Sequence, residues 1–356
     1  MNYIWSKHSL LKFIHASIEQ VVGADRFLVS DLFGGTGAVA RMYKELGHPT
    51  LTSDLQWYSY VLLQHYLGNS THFAFEWLLD TLDGLSERDP EDRWDMVCLY
   101  LDQLLGVSWY VYKQYCMWGT KQKEFQRQYF SDTNGKRCDA IRMQIQERYD
   151  AEMITDGEFY FLLASLIESI DKVANTASVY WAFLKQLKKS AQKDMVLAPA
   201  QLIISDQPHQ VHNQDINELI KNTKHEVVYL DPPYNHRQYS GNYHVLETIA
   251  RYDKPKLKGK TGMRDCTDQK SKYCSKVHVL DEFTQLIEGI DAEYIFLSYN
   301  DEWLMSLEDI RSVMSSRWTY GVFEQTYQRY KADKTESRNH KKDSTIEYLH
   351  WVKIKK

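Results

Sequence analysis

The run Val227-Val228-Tyr229-Leu230-Asp231-Pro232-Pro233-Tyr234-Asn235 holds the residues whose types and spacing best suit chemistry. A short apolar, β-favouring segment stops abruptly on an acid, two prolines and an aromatic ring, as a buried parallel strand does where its end opens into a site. Ligands in open α/β sheets bind at such carboxyl ends. The prolines cannot continue a ladder, and Pro233 holds Pro232 extended. The Asp231 carboxylate and the Pro232 carbonyl are then two fixed acceptors beside the flat face of Tyr234. Two acceptors and a ring suit a planar base with an exocyclic NH2, whose hydrogens they would bind while the nitrogen lone pair points outward. A proline-stiffened turn in which Asp231 merely caps the next element accounts for the same four residues.

Elements able to position that turn precede it. Ser6 to Val22 has helical spacing (Leu10, Phe13, Ile14, Ile18, Val21) and Ser6 as a cap. Arg26 to Asp31 reads as a strand, Phe33-Gly34-Gly35-Thr36-Gly37 as a turn, Ala38 to Leu46 as a helix, and Thr50 to Asp54 as a second strand ending on an acid. Glycines let a ligand approach the backbone, and a following helix N-terminus favours a negative group. Asp54 sits where an acid grips ribose hydroxyls, or caps a helix. Gly35-x-Gly37-x-x-Ala40 alone fits a loose dinucleotide fingerprint that unrelated cofactors share. The α/β rhythm lapses from Trp57 to about Ala200, with helices expected over 73–82, 94–112, 136–149 and, in two pieces, 158–189. It resumes with an expected strand Leu202 to Asp206, whose acid could meet a cofactor's base or serve as a turn residue before Pro208.

Composition limits the partners. The 356 residues, 43% hydrophobic with a formal charge of −5, describe a globular chain whose basic surface must be local. Two stretches qualify. Tyr110 to Tyr149 interleaves Lys113, Lys121, Lys123, Arg127, Lys136, Arg137, Arg142 and Arg148 with aromatics, as a phosphate backbone and stacked bases require, although a solvated helical face with core aromatics fits too. Lys254 to Lys276 is a second basic, glycine-containing loop. The five cysteines are odd in number and form no Cys-x-x-Cys pair, which reads as reduced thiols and no metal site. No signal peptide or membrane span is expected, and with reduced thiols a cytoplasmic location is the expectation.

In their order along the chain, these motifs resemble the Dam-like, alpha-group, site-specific DNA adenine-N6 methyltransferases of the restriction–modification type. Asn2 to Lys7, Asp31 to Gly37, Asp54 and Asp231 to Tyr234 match that group's motifs, with a long insertion between the last two. Asn235 to Tyr239, Leu297 to Asn300, Arg338 to His340, Tyr129 to Arg142 and Lys172 to Thr176 are similar to one branch of it. Trp5 departs, standing where the family usually has glycine, at the edge of the cofactor pocket.

The resemblance implies a Rossmann-like α/β methyltransferase core, a mixed and mainly parallel sheet with helices on both faces, over 1–58 and 196–356. A mostly helical target-recognition insertion would occupy 59–195. It implies S-adenosylmethionine as methyl donor, held by Lys7, Asp31, Phe33, Gly34, Gly35, Gly37, Asp54 and Asp206: the glycines at its methionine end, Asp54 on the ribose, Asp206 on the adenine amine, and Lys7 near the carboxylate. Asp231, Pro232, Pro233 and Tyr234 would act on a flipped-out adenine of duplex DNA, with Asn235, Arg237, Gln238 and Tyr239 holding the opened strand. No metal is needed, and the resemblance leaves open whether a cognate restriction endonuclease shares the site. An RNA adenine-N6 or DNA cytosine-N4 enzyme, a nicotinamide-dependent oxidoreductase and an inactive DNA-binding module are the competing readings.

Overall fold

The computed structural model describes residues 7–233, 235–300, 304–328 and 344–355. Tyr234, the Asn2–Ser6 part of the first motif with Trp5, and Arg338-Asn339-His340 lie outside them. The described residues divide into a sheet unit (within 7–63, 205–239 and 268–355) and a helical unit (64–204 and 240–267). No helix among the described residues is long and apolar enough to cross a membrane.

The sheet unit is built on β1 (Val29–Asp31), β2 (Thr50–Ser53), β3 (His209–His212), β4 (Val227–Leu230), β5 (Tyr294–Asn300), β6 (Trp318–Gln328) and β7 (Ser344–Ile354). They pair in the order β3-β2-β1-β4-β5-β7-β6. β7 runs antiparallel to both of its neighbours, and the other pairs are parallel. Alternation along β4 shows why the sheet is covered twice. Val228 and Leu230 join one apolar cluster with helix Val279–Gly289, and Val227 and Tyr229 join another with helix Leu11–Val22. Burial on both faces is what a continuous apolar strand sequence requires.

Strand order reverses at β1, which lies between β2 and β4, so the carboxyl ends of β1 and β4 open side by side. Asp31 pairs in register with Tyr229, two residues short of Asp231. The anticipated strand over 202–206 is absent; β3 lies at 209–212 instead. The run Leu202-Ile203 is buried without a ladder, while the polar edge strand His-Gln-Val-His completes the sheet.

The helical unit departs from expectation at one long segment. Of the two helical pieces expected over 158–189, the first is helix Asp156–Lys172 and the second is absent, the chain running on in turns and bends. Asn175 breaks the helical run: its side chain donates to the carbonyls of Gln128 and Leu184 and accepts from Lys188 N–H, each within 3.0 Å. The 94–112 helix is two, Arg93–Asp102 and Tyr110–Tyr115, and the expected 136–149 helix runs Asp132–Asp150.

Buried charge on helix Asp132–Asp150 ties this unit together. The Asp139 carboxylate accepts from the N–H groups of Trp109 (3.2 Å), Val111 (2.8 Å) and Tyr112 (2.9 Å), capping helix Tyr110–Tyr115, and from the Tyr252 hydroxyl at 2.8 Å. One turn on, Arg142 donates to the carbonyls of Ile249 (3.0 Å) and Ala250 (3.1 Å) at the end of helix His244–Arg251. Arg127 donates to the carbonyls of Gly259, Lys260 and Gln114. These two arginines, read above as candidates for a phosphate backbone, are buried structural groups, and Tyr115, Tyr129 and Phe130 beside them are core.

Candidate active site

Three acids mark the carboxyl edge of the parallel strands. Asp31 closes β1, Asp54 follows β2 and Asp231 follows β4. The glycine turn lies among them. Gly34 N–H donates to the Ser53 carbonyl (2.9 Å), Gly35 N–H to Asp54 Oδ2 (2.9 Å) and Gly37 N–H to the Gly34 carbonyl (2.7 Å). A Cβ on Gly34 would stand 2.4 Å from Thr52 Oγ1 and 2.9 Å from Leu63 Cδ1, so only glycine fits. Gly37 has φ +78°, a left-handed backbone from which helix Ala38–Glu45 starts. Phe33 packs edge-on against Tyr273, ring centroids 5.2 Å apart.

The electrostatics single out two of the acids. Asp31 is pushed up to about 7, first by burial and then by the charge of Asp231, with the N–H groups of Ala40 and Phe33 opposing. Its Oδ1 is buried without a hydrogen-bond partner. Asp231 is pushed up to about 6 by burial, which the Lys7 ammonium opposes and the Glu347 carboxylate reinforces. Lys7 Nζ is 3.2 Å from Asp231 Oδ1 and 2.6 Å from Glu347 Oε1. Lys7 therefore stands against Asp231, a neighbour its motif did not indicate.

The segment after the prolines is stitched to its surroundings by amides. Gln238 Nε2 donates to the Ser271 carbonyl (2.9 Å) and Gln238 Oε1 accepts from Ser271 N–H (2.8 Å). Asn235 Oδ1 accepts from Arg237 N–H at 2.9 Å, and the Arg237 side chain is exposed. Tyr239 opens the one-turn helix Tyr239–Asn242. Gln56 Nε2 donates to the Gln269 carbonyl, joining the end of β2 to the same loop.

Asp206 does not join this edge. β3 runs parallel to β2, with Thr50 opposite His209, so Asp206 is exposed at the amino end of its strand, away from the other acids. The carboxyl end of β3 leads into Asn213-Gln214-Asp215. Asn213 Nδ2 donates to the Asp54 carbonyl (2.7 Å), Ser53 Oγ to the Gln214 carbonyl (2.9 Å), and Asp215 caps helix Ile216–Leu219. Sequence reasoning missed this segment; the signal was an Asn-x-Asp ahead of a short helical run, after a strand with no apolar alternation.

Residues 3–313 match the family model of the D12 class N6 adenine-specific DNA methyltransferases. The chain belongs to that family. Among relatives of this methyltransferase, the Type II methyltransferase M.NlaIII of Neisseria lactamica is 46% identical over 98% of each chain. The Type II methyltransferase M.CviAII of Paramecium bursaria Chlorella virus 1 is 32% identical over 99% of this chain and 98% of its own. M.FokI of Planomicrobium okeanokoites is 32% identical over 99% of this chain, which spans 52% of that relative's length. The methyltransferase acts on adenine in DNA and uses S-adenosylmethionine, which sets aside the RNA, cytosine-N4, nicotinamide and inactive-module readings. The glycine turn with its close approach at Gly34 and the unsatisfied Asp31 Oδ1 fit such a donor, with the Asp54 carboxylate, which accepts from Gly35 and Gln56 N–H, beside them.

Proposed function

We propose that this methyltransferase is the modification enzyme of a Type II restriction–modification system, methylating a flipped-out adenine within a short specific duplex sequence. A cognate endonuclease of the same specificity belongs to that reading, as does a place beside the DNA in the cytoplasm of a prokaryotic or virus-infected cell. The names of its relatives from a bacterium and a virus support it. The carrying observation for the chemistry is Asp231, set at the end of β4 one strand from the glycine turn and raised to about 6.

S-adenosylmethionine, when bound, supplies a methyl group on a sulfonium that leaves as a neutral thioether. Gly34, Gly35 and Gly37 would face its methionine end with Phe33 alongside. Asp54 would hold the ribose, and Asn213 to Asp215 would take the adenine contact first assigned to Asp206. Adenine's amine is a weak nucleophile because its lone pair is delocalised into the ring. Asp231 and the Pro232 carbonyl, accepting its two hydrogens, would favour the pyramidal form that the transition state needs. Positioning supplies much of the rest. Above pH 6 Asp231 is an anion able to accept the proton that the methylated nitrogen releases. Tyr234 would stack on the flipped base and offset part of the cost of opening, a few kcal/mol.

Around Trp109 and Trp118 the helical unit carries exposed cations. Lys121 lies over the exposed Trp118 ring at 4.4 Å, and Lys113 and Lys254 over Trp109 at 4.9 and 5.5 Å. Cations with projecting indoles suit a duplex, and this unit is our choice for target recognition.

The test is methyl transfer from labelled S-adenosylmethionine to unmethylated duplex DNA, with nucleoside analysis and sequencing of modified sites. N6-methyladenine confined to one short sequence, falling by about 10²–10³-fold or more in Asp231→Ala, is expected. Methylation scattered without sequence preference would overturn the restriction–modification reading, and an active Asp231→Ala the role of that acid.

A further inference from the structure

Outside the assigned motifs, the described residues hold one charged group wedged behind the acceptor acid. Glu347 lies on β7 opposite Asn300 of β5, which brings it to the carboxyl edge although β7 runs the other way. Along β7 it shares a face with the buried Leu349, an apolar position by pattern. Its Oε1 meets Lys7 Nζ at 2.6 Å and also accepts from Ser298 Oγ, while Oε2 is buried without a hydrogen-bond partner. The Lys7 and Glu347 side chains are 7% and 1% exposed. A buried ion pair seldom adds stability over apolar residues of the same volume, so its presence beside a reacting group points to work on that group.

We propose that Lys7 and Glu347 are a positioning pair for the acceptor acid, in which Glu347, steadied by Ser298, holds the Lys7 ammonium against Asp231 Oδ1. The inference rests on Asp231 accepting the adenine amine. Oδ1 is buried, has no hydrogen-bond partner and meets Lys7 only as an ion pair at 3.2 Å, so Oδ2 is the oxygen left for that amine and the pair fixes the aim of the carboxylate. It also sets the charge. Lys7 favours the anion and Glu347 from β7 disfavours it; Asp31 from β1 and Tyr229 from β4 are titratable neighbours that the Asp231 charge in turn raises. One ammonium shared between two carboxylates, Asp231 and Glu347, keeps Asp231 ionised at neutral pH yet basic enough to take a proton.

The sharing makes two substitutions pull in opposite directions. Lys7→Met removes the favourable charge, so Asp231 ionises at higher pH. Glu347→Gln removes a repulsive charge while its amide oxygen still accepts from Lys7 and Ser298, so Asp231 ionises at lower pH. The experiment is the single-turnover methylation rate of the full-length enzyme against pH, at saturating S-adenosylmethionine and cognate duplex. Thermal melting checks that each variant folds. The acid limb should move up by about one pH unit in Lys7→Met and down in Glu347→Gln. Should Lys7→Met fail to fold, the downward shift in Glu347→Gln still decides. Limbs that stay put, or move the same way, overturn the proposal. So does a raised KM for S-adenosylmethionine with an unmoved limb, which would give Lys7 to the cofactor alone. An active Asp231→Asn would instead overturn the role of Asp231 on which the inference stands.

Discussion

Both units bury charge, and they use it differently. In the helical unit Asp139 and Arg142 meet backbone groups at helix ends, and Arg127 meets three loop carbonyls. The difference lies in the carboxylates. The helical unit has arginine Nε atoms without partners, at Arg137, Arg148 and Arg264. The carboxylate oxygens buried without a hydrogen bond among the described residues, however, belong to Asp31, Asp231 and Glu347 of the sheet unit, and Asp231 shares the Lys7 ammonium with Glu347. Buried polar groups are ordinarily satisfied. Charges that answer to the backbone build the fold, whereas the carboxylates left short of partners at a strand edge are the ones we propose for the site. The contrast separates scaffold from site without reference to either unit's size.

It can be broken by exchanging the readouts. Arg142→Met strands two buried carbonyls and should cost about 3 kcal/mol or more of stability, read as a lowered melting temperature, with activity lost only as the protein unfolds. Asp231→Asn should do the reverse, removing activity while melting stays level. If Asp231→Asn melted early and Arg142→Met did not, the distinction would collapse. A smaller effect sharpens it on the backbone side. Gly34→Ala forces a methyl group toward Thr52 Oγ1 and Leu63 and should weaken S-adenosylmethionine binding about tenfold by calorimetry, roughly 1.4 kcal/mol. Unchanged affinity would mean that the turn does not approach the donor. The smallest single-site effects belong to exposed cations. Reversing Lys254, Lys256, Lys258 and Lys260 should weaken binding to all duplexes alike and lower the salt slope by about one for each phosphate no longer neutralised. A weakening confined to the cognate sequence would place these lysines in base readout instead.

How much of this was legible follows from where the signals sit along the chain. β1 and β4 were readable because each closes a short apolar run ending on an acid, β2 because a threonine-rich stretch with β propensity ends at Asp54, and the glycine turn and Asp-Pro-Pro run are local in sequence. β3 was not, since an edge strand written His-Gln-Val-His has no apolar face, and the apolar Leu202-Ile203 nearby drew the assignment to the wrong segment. Asp206 went astray with it. Arg127 and Arg142 looked like surface bases because spacing cannot show that carbonyls of 249–260, more than a hundred residues on, would enclose them. Lys7 and Glu347 are 340 residues apart, and no local pattern joins them. A glutamate at the apolar register of the last strand was the one available clue.

The chain does not leave the sheet unit once and return. It goes out at 64, comes back at 205, and goes out again for 240–267 before the last strands form. The carbonyls that Arg142 caps and the loop that Arg127 holds both belong to that second excursion. On the proposed role of the helical unit in target recognition, specificity is therefore not transplanted between relatives by exchanging the long insertion as a single cassette. A chimera carrying 64–204 alone would set a foreign arginine against the host's 240–267, and a working graft must carry both segments together, leaving the Asp-Pro-Pro turn between them in place.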